Sequence, residues 1–222
     1  MTLEMDQRGA VAILRWNDGE NRVNVDSMTE WHAALDQLEA VDGPLALVAI
    51  GAGKYFSNGL DLDRFAADPE EVGPTIHLLH LLLGRLLLFP AYCVAAINGH
   101  AFAAGAMISA CFDARVMRSD RGYWCLPEVD ISLPLDEGLT AAVSARLPAE
   151  AVQDAMLTGR RYGAEDAMAL GIVTDTVDDA RVLDTAIALA EPIAGKDRRV
   201  IAEHKRLLFG DAARVCGYDP PR

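Results

Sequence analysis

The sequence predicts an α/β fold. Three observations carry it: apolar runs of strand length alternate with helical periodicity over the first two-thirds, those runs have no polar face, and the last third is almost all helix. The 222 residues correspond to one domain, or one with an appendage, at roughly 150 residues per domain. With 51% of residues hydrophobic and 24% charged, the chain can bury a sizeable core, which excludes disorder.

Val11 to Trp16 is apolar, and Asn17-Asp18-Gly19 closes it, so it is expected as a strand entering a turn. Asp26 or Ser27 then caps a helix whose apolar positions Met28, Trp31, Leu35 and Leu38 recur at helical spacing. Leu45 to Ile50 is a continuous apolar strand ending at Gly51-Ala52-Gly53, and the order strand, helix, strand builds a sheet buried on both faces. A loop over residues 56–62 leads to an apolar helix ending at Phe89, and Tyr92 to Ile97 is the next buried strand. The small residues Ala103 to Ala106 allow a helix N-terminus to approach a neighbouring backbone or a ligand closely. Ala114 to Met117 is a further strand. Helices are expected over 137–147, 149–157, 164–170, 182–194 and 199–209, with a short strand near Ile172 to Thr174.

A formal charge of −13 repels polyanions, so general nucleic-acid binding is not expected. Cys93, Cys111, Cys125 and Cys216 form no CxxC pair, which removes a clustered zinc site and a thioredoxin-type motif and leaves reduced core thiols. The N-terminal MTLEMDQRG lacks the basic and apolar regions of an export signal, and the C-terminal YDPPR matches no peroxisomal or retention signal, so a cytoplasmic location is expected. The apolar stretch Ile76 to Phe89 has 14 residues, includes His77, His80 and Arg85, and falls short of the about 18 a spanning helix needs. It reads as a buried helix, with no membrane partner.

No GxSxG, GxxxxGK[ST], HExxH or strand-following GxGxxG occurs, so serine-triad hydrolysis, phosphoryl transfer and zinc catalysis lose their usual signals. Two turns remain that run from a buried strand through small residues into a helix. Free N–H groups at such a start carry the positive end of the helix dipole, and two brought together can hold a developing oxyanion. Neither turn alone is specific: Gly59 equally serves a backbone angle, and Asp61 equally caps a helix.

The combination of Phe56-Ser57-Asn58-Gly59-Leu60-Asp61-Leu62, Ala95-Ala96-Ile97-Asn98-Gly99-His100-Ala101-Phe102-Ala103-Ala104-Gly105 and Leu126-Pro127-Glu128-Val129 resembles the crotonase superfamily of enoyl-CoA hydratases and isomerases, from about Gly9 to Phe209. The resemblance implies a spiral of ββα repeats with a C-terminal helical trimerisation region: a core over 1–135 with the CoA and acyl site, a helical region over 136–222 packing in the trimer, and a homotrimer or dimer of trimers. It implies an acyl-CoA thioester as substrate, no cofactor and no metal. The oxyanion donors correspond to the N–H groups of Leu60 and Ala104, with Gly59, Asp61, Leu62, Gly105 and Met107 around the substrate.

Hydratases of this family carry one glutamate three residues beyond the second donor and another on a later loop. Met107 fills the first place and cannot hold a proton, while Glu128 matches the second with an offset of one residue. One carboxylate suffices to move a proton from C2 to C4, so the site is similar to that of a Δ3,Δ2-enoyl-CoA isomerase. Other enolate chemistry (hydration, thioester hydrolysis, decarboxylation) and a non-catalytic acyl-CoA-binding subunit are the alternatives. Glu128 taken alone equally fits a surface carboxylate after a proline, although Trp124, Leu126, Val129 and Ile131 would desolvate it and strengthen it as a base. Asp136 lies where dienoyl-CoA isomerases carry a further acid, but reads first as a helix N-cap. Five of the 20 basic residues, Lys196, Arg198, Arg199, Lys205 and Arg206, crowd into 11 positions and suggest CoA-phosphate contacts through Lys196 and Lys205, or else a solvated helix face. Arg22 is a weaker candidate for the adenine end.

Overall fold

The computed structural model describes residues 2–219, so residues 220–222 of the YDPPR end lie outside the described residues. The expected strands form as β2 (Val11–Trp16), β3 (Ala46–Gly51), β5 (Tyr92–Ile97) and β7 (Ala114–Arg118), paired parallel in the order β2-β3-β5-β7. Apolar side chains point to both faces because both are covered. On one face Val11, Ile13, Val48, Val94 and Val116 pack against Val182, Ala186, Ala190 and Ala194 of α8 (Val182–Ala194), a stripe at i, i+4 spacing whose small side chains let the helix lie close. On the other face Leu14, Leu47, Ala95 and Met117 meet α1 (Val25–Glu39), α3 (Val72–Leu88) and α4 (Ala104–Ala110), with Trp31, Leu35, Leu82 and Phe112 fully buried.

Two strands complete this sheet. β1 (Leu3–Arg8) pairs antiparallel with β2 at one edge. Its residues after Leu3 are polar or exposed, so no apolar run announced it. The strand expected near Ile172 to Thr174 forms instead at β9 (Asp175–Val177), parallel to β7. The Ile172 and Val173 amides donate to the Ala167 carbonyl and close the helix before them, so pairing can begin only after that turn.

Three short strands, β4 (Tyr55–Ser57), β6 (His100–Phe102) and β8 (Trp124–Cys125), make a second parallel sheet in that order. Each follows a strand of the large sheet and precedes a helix, so 46–88, 92–110 and 114–144 are successive ββα turns of a spiral. α2 (Leu62–Ala67) is inserted in the first, and α5 (Glu137–Ser144) closes the third.

The helical tail continues with α6 (Ala149–Thr158), α7 (Ala164–Ala169), α8 and α9 (Arg198–Val215), which packs on α3 and α5. The cap of α1 is Asn24, not Asp26 or Ser27: its side chain accepts from the Ser27 amide while the Ser27 hydroxyl accepts from the Asn24 amide. α3 starts four residues earlier than its apolar run, because Pro74 falls in the first turn where a missing N–H is harmless. With the turn before it, Pro69–Leu88 has 20 residues at mean hydropathy 1.2, long and apolar enough to cross a membrane by length and composition. Half of it is buried inside the protein, and Arg85 pairs with Asp36 and Glu39 at 2.6 and 2.8 Å. All four cysteines are buried free thiols.

Candidate active site

The C-terminal ends of a parallel sheet face one way, and their outgoing loops form one rim. β4, β6 and β8 each release one of the three predicted segments there: Asn58 to Leu62, Ala103 to Met107, and Leu126 to Val129.

The first segment is clamped to the loop before α1. The Val23 amide donates to the Gly59 carbonyl at 2.8 Å, the Asp61 amide to the Val23 carbonyl at 3.0 Å, and the Ser57 hydroxyl to the Asn21 carbonyl at 2.7 Å. The Gly59 amide donates to Ser57 Oγ at 3.2 Å, and Asp61 caps α2 through the Arg64 amide. Gly59 has φ +81°, and a Cβ built there would meet Ala103 Cβ at 2.9 Å and lie 3.5 Å from the Ala104 nitrogen. A Cβ on Gly105 would lie 2.6 Å from the Ser57 Cβ and carbonyl oxygen. The first two segments are therefore in direct contact because glycine stands at both places.

At the head of α4, Ala103 takes φ +50° and ψ −122°, a conformation L-residues rarely adopt, and it has no side chain to cap the helix. Among the described residues, neither the Ala104 N–H nor the Leu60 N–H donates a hydrogen bond within the chain. Ala103→Gly should relieve about 1 kcal/mol or more of backbone strain and raise the melting temperature by about 2–4 °C. Thermal unfolding followed by circular dichroism checks this; an unchanged or lower midpoint would contradict it.

The third segment folds as a tight turn, with the Leu133 and Ile131 amides donating to the Glu128 carbonyl at 3.0 and 3.3 Å. Glu128 is 6% exposed and its Oε2 is buried without a hydrogen-bond partner. Burial pushes its carboxyl up to about 7, against a small opposing pull from its own backbone N–H. It borders a cavity of about 310 Å³ lined by Val129, Ser132, Leu133, Pro134, Leu135 and Met156. Of the predicted desolvating neighbours, Trp124 and Leu126 lie in the core, Val129 lines the cavity, and Ile131 points outward at 52% exposure. Leu133 to Leu135 and Met156 take its place, and Met156 comes from α6, where no sequence signal ties it to Glu128.

Met107 is buried in the core and brings no carboxylate. Leu62 is exposed. Both carboxylate oxygens of Asp61 are engaged, with the Arg64 amide and the Asn24 side chain. Asp136 caps α5, one oxygen accepting from the Leu139 amide at 2.9 Å, while the other lies 3.0 Å from His80 Nε2 without a hydrogen bond between them.

The predicted CoA cations separate. Arg22 adjoins the first segment, but its guanidinium is balanced by Glu20 at 2.7 Å and Asp63 at 3.6 Å. Lys205 is not a surface cation: α9 turns it inward, 5% exposed, onto Asp113 at 2.6 Å and the Ala91 carbonyl at 2.8 Å, because burying Asp113 requires a counter-charge. Lys196 is exposed beside the Pro44 and Pro90 turns, where β3 and β5 begin, which is the opposite end of these strands from the rim. Within one chain the structure brings neither lysine to the site.

Residues 6–214 match the family model described as enoyl-CoA hydratase/isomerase. The chain is 30% identical to enoyl-CoA delta isomerase 3 of Arabidopsis thaliana, over 95% of this chain and 93% of the relative. It is 31% identical to carnitinyl-CoA dehydratase of Escherichia coli, over 82% and 71%. Its fold superimposes on an enoyl-CoA isomerase of Mycobacterium tuberculosis with a TM-score of 0.89 at 26% identity, covering 97% of this chain and 94% of the other.

Proposed function

Because the chain belongs to the enoyl-CoA hydratase/isomerase family, we propose that it converts a 3-enoyl-CoA to trans-2-enoyl-CoA, with Glu128 as the sole proton carrier and the Leu60 and Ala104 N–H groups holding the thioester oxygen. The observation that carries this reading is Glu128, buried on the rim with one carboxyl oxygen lacking a hydrogen-bond partner and bordering an apolar cavity, with Met107 in the place of a second carboxylate. Ionised Glu128 takes a proton from C2. The electron pair passes into the thioester, whose oxygen becomes the anion of a dienolate held by the two free N–H groups. Glu128 then returns the proton at C4, and the double bond comes to rest between C2 and C3. Atoms and charge balance without a cofactor, as a double-bond shift that prepares unsaturated chains for fatty acid oxidation requires.

A carboxyl near 7 suits this work, since a general base is most effective with its pKa close to the operating pH. Hydration or dehydration, the reaction named for the Escherichia coli relative, needs a second proton-handling group; Met107 cannot be one, and Asp136 is spent as the cap of α5. A subunit that only binds acyl-CoA gains nothing from a buried, unpaired carboxyl, which destabilises the fold. The chain is proposed to work as a homotrimer or a dimer of trimers.

Incubating the purified protein separately with 3-enoyl-CoA and 2-enoyl-CoA, and following the conjugated thioester and hydroxyacyl-CoA independently, tests the assignment. Isomerisation should far outpace hydration. Comparable rates for both would defeat the role given to Met107.

A further inference from the structure

The helix that starts at Ala104 and the strand that leads to Glu128 are joined by a side-chain hydrogen bond from residues outside the three motifs. Trp124 of β8 donates through its indole Nε1 to Ser109 Oγ on α4 at 3.1 Å, and the Ser109 hydroxyl donates in turn to the Ala106 carbonyl at 2.7 Å. Ser109, Ala106 and Trp124 are fully buried, so no water competes for these bonds.

This is the second of two attachments between the same two elements. At the head of α4 the Ala103 amide donates to the Cys125 carbonyl at 3.0 Å, one residue before Ala104. Ser109 lies about 7.5 Å further along the helix, at 1.5 Å per residue. One attachment leaves so short a helix free to pivot about its head; the second, toward its far end, fixes its direction. β8 is itself held from the other side. The Trp124 and Tyr162 backbones exchange hydrogen bonds at 3.0 and 2.9 Å, and the Cys125 thiol donates to the Gly159 carbonyl at 3.2 Å. The Tyr162 hydroxyl donates to Asp154 Oδ2 at 2.6 Å on α6, the helix that brings Met156 to the cavity beside Glu128. The indole bond therefore joins α4 to a unit made of β8, Tyr162 and α6.

We propose, on the reading of Glu128 and Ala104 given above, that Ser109 and Trp124 are positioning residues for the reaction: their hydrogen bond sets the placement of the Ala104 N–H relative to the Glu128 carboxylate. A dienolate is conjugated, so its oxygen, C2 and C4 are held in one plane, and a donor and a base must meet that fixed shape at the same time. A shift of α4 against β8 spoils one contact while keeping the other, and a misplacement of about 1 Å can lose about 10²-fold in rate. The fold itself does not depend on pairing an indole: Trp16 and Trp31 are buried with their N–H groups unpartnered.

Ser109→Ala removes the acceptor with little change in volume. It should lower kcat for 3-enoyl-CoA about tenfold and leave KM and acyl-CoA affinity within about twofold, the pattern of an interaction made only in the transition state, with circular dichroism verifying the fold. Trp124→Phe should lose a similar amount, and the two changes together no more than either alone, because one bond is broken once. Ser109→Cys, whose sulfur is a weaker acceptor, should fall between Ser109→Ala and the wild type, and carries the same test if the alanine variant does not fold. Unchanged kcat in a folded variant, losses that multiply in the pair, or a loss confined to KM overturns the proposal. A wild type that does not isomerise 3-enoyl-CoA, or a Glu128→Gln variant as active as the wild type, fails the underlying reading and takes the proposal with it. An active wild type, an inactive Glu128→Gln variant and an unaffected Ser109→Ala variant fail the proposal alone.

Discussion

Replacing Glu128 with Gln is expected to lower turnover of 3-enoyl-CoA by about 10²–10⁴-fold, the contribution of a positioned general base, while acyl-CoA binding survives. Glutamine keeps the shape and cannot accept the C2 proton. Glu128→Asp should fall between, since withdrawing the carboxylate by roughly 1 Å can lose about 10²-fold. In the wild type, kcat/KM should rise with pH through about 7 as the carboxyl ionises, and the Gln variant should lose that rise.

A stability measurement supplies a second readout. The carboxyl titrates near 4.5 in the unfolded chain and near 7 when folded, so between these values the folded state binds more protons. Wild-type stability therefore falls as pH rises through that window, by about 3 kcal/mol, and stays low above it. Glu128→Gln escapes this loss and should be the more stable protein at pH 8. Chemical denaturation at pH 5 and pH 8 checks the crossing; a Gln variant that retains activity and shows no gain would remove Glu128 from the mechanism.

The second large effect is expected at Ala104. Proline at the first residue of a helix suits its backbone angles, and the change deletes the N–H, so Ala104→Pro should lose about 10²–10³-fold in kcat. Leu60→Ala leaves its main-chain donor in place and should keep most activity. Steady-state kinetics on both variants separates a main-chain role from a side-chain one. Equal losses would place the effect in the side chains.

The four central strands of the large sheet, β2, β3, β5 and β7, were legible because burial on both faces demands unbroken apolar runs such as Leu45 to Ile50, whereas the edge strands β1 and β9 carry no such run. β4, β6 and β8 were not, because two or three residues held by parallel pairing need no pattern of their own. Gly59, Ala104 and Glu128 were singled out as candidates through the order of their motifs, yet what desolvates Glu128 was only partly visible: Met156 arrives from a distant helix, and Ile131 points the other way. Lys205 shows the limit most clearly. In the sequence it is one cation of a basic cluster, and only the folded position of Asp113, 92 residues earlier, shows that its charge is already taken.

Drawing the proposed donors and the proposed base from three successive turns of the spiral also bears on how the protein folds. Tyr55 pairs with His100 and Ala101 with Trp124, so no hairpin can form the small sheet, and its closure entropy must be met before any contact rewards it. Such long-range pairing slows folding and ties the site to the completed stack. On the proposed mechanism, a nascent chain that has not yet placed Glu128 in β8's outgoing loop lacks its base, and activity should recover after denaturation only in step with the whole sheet.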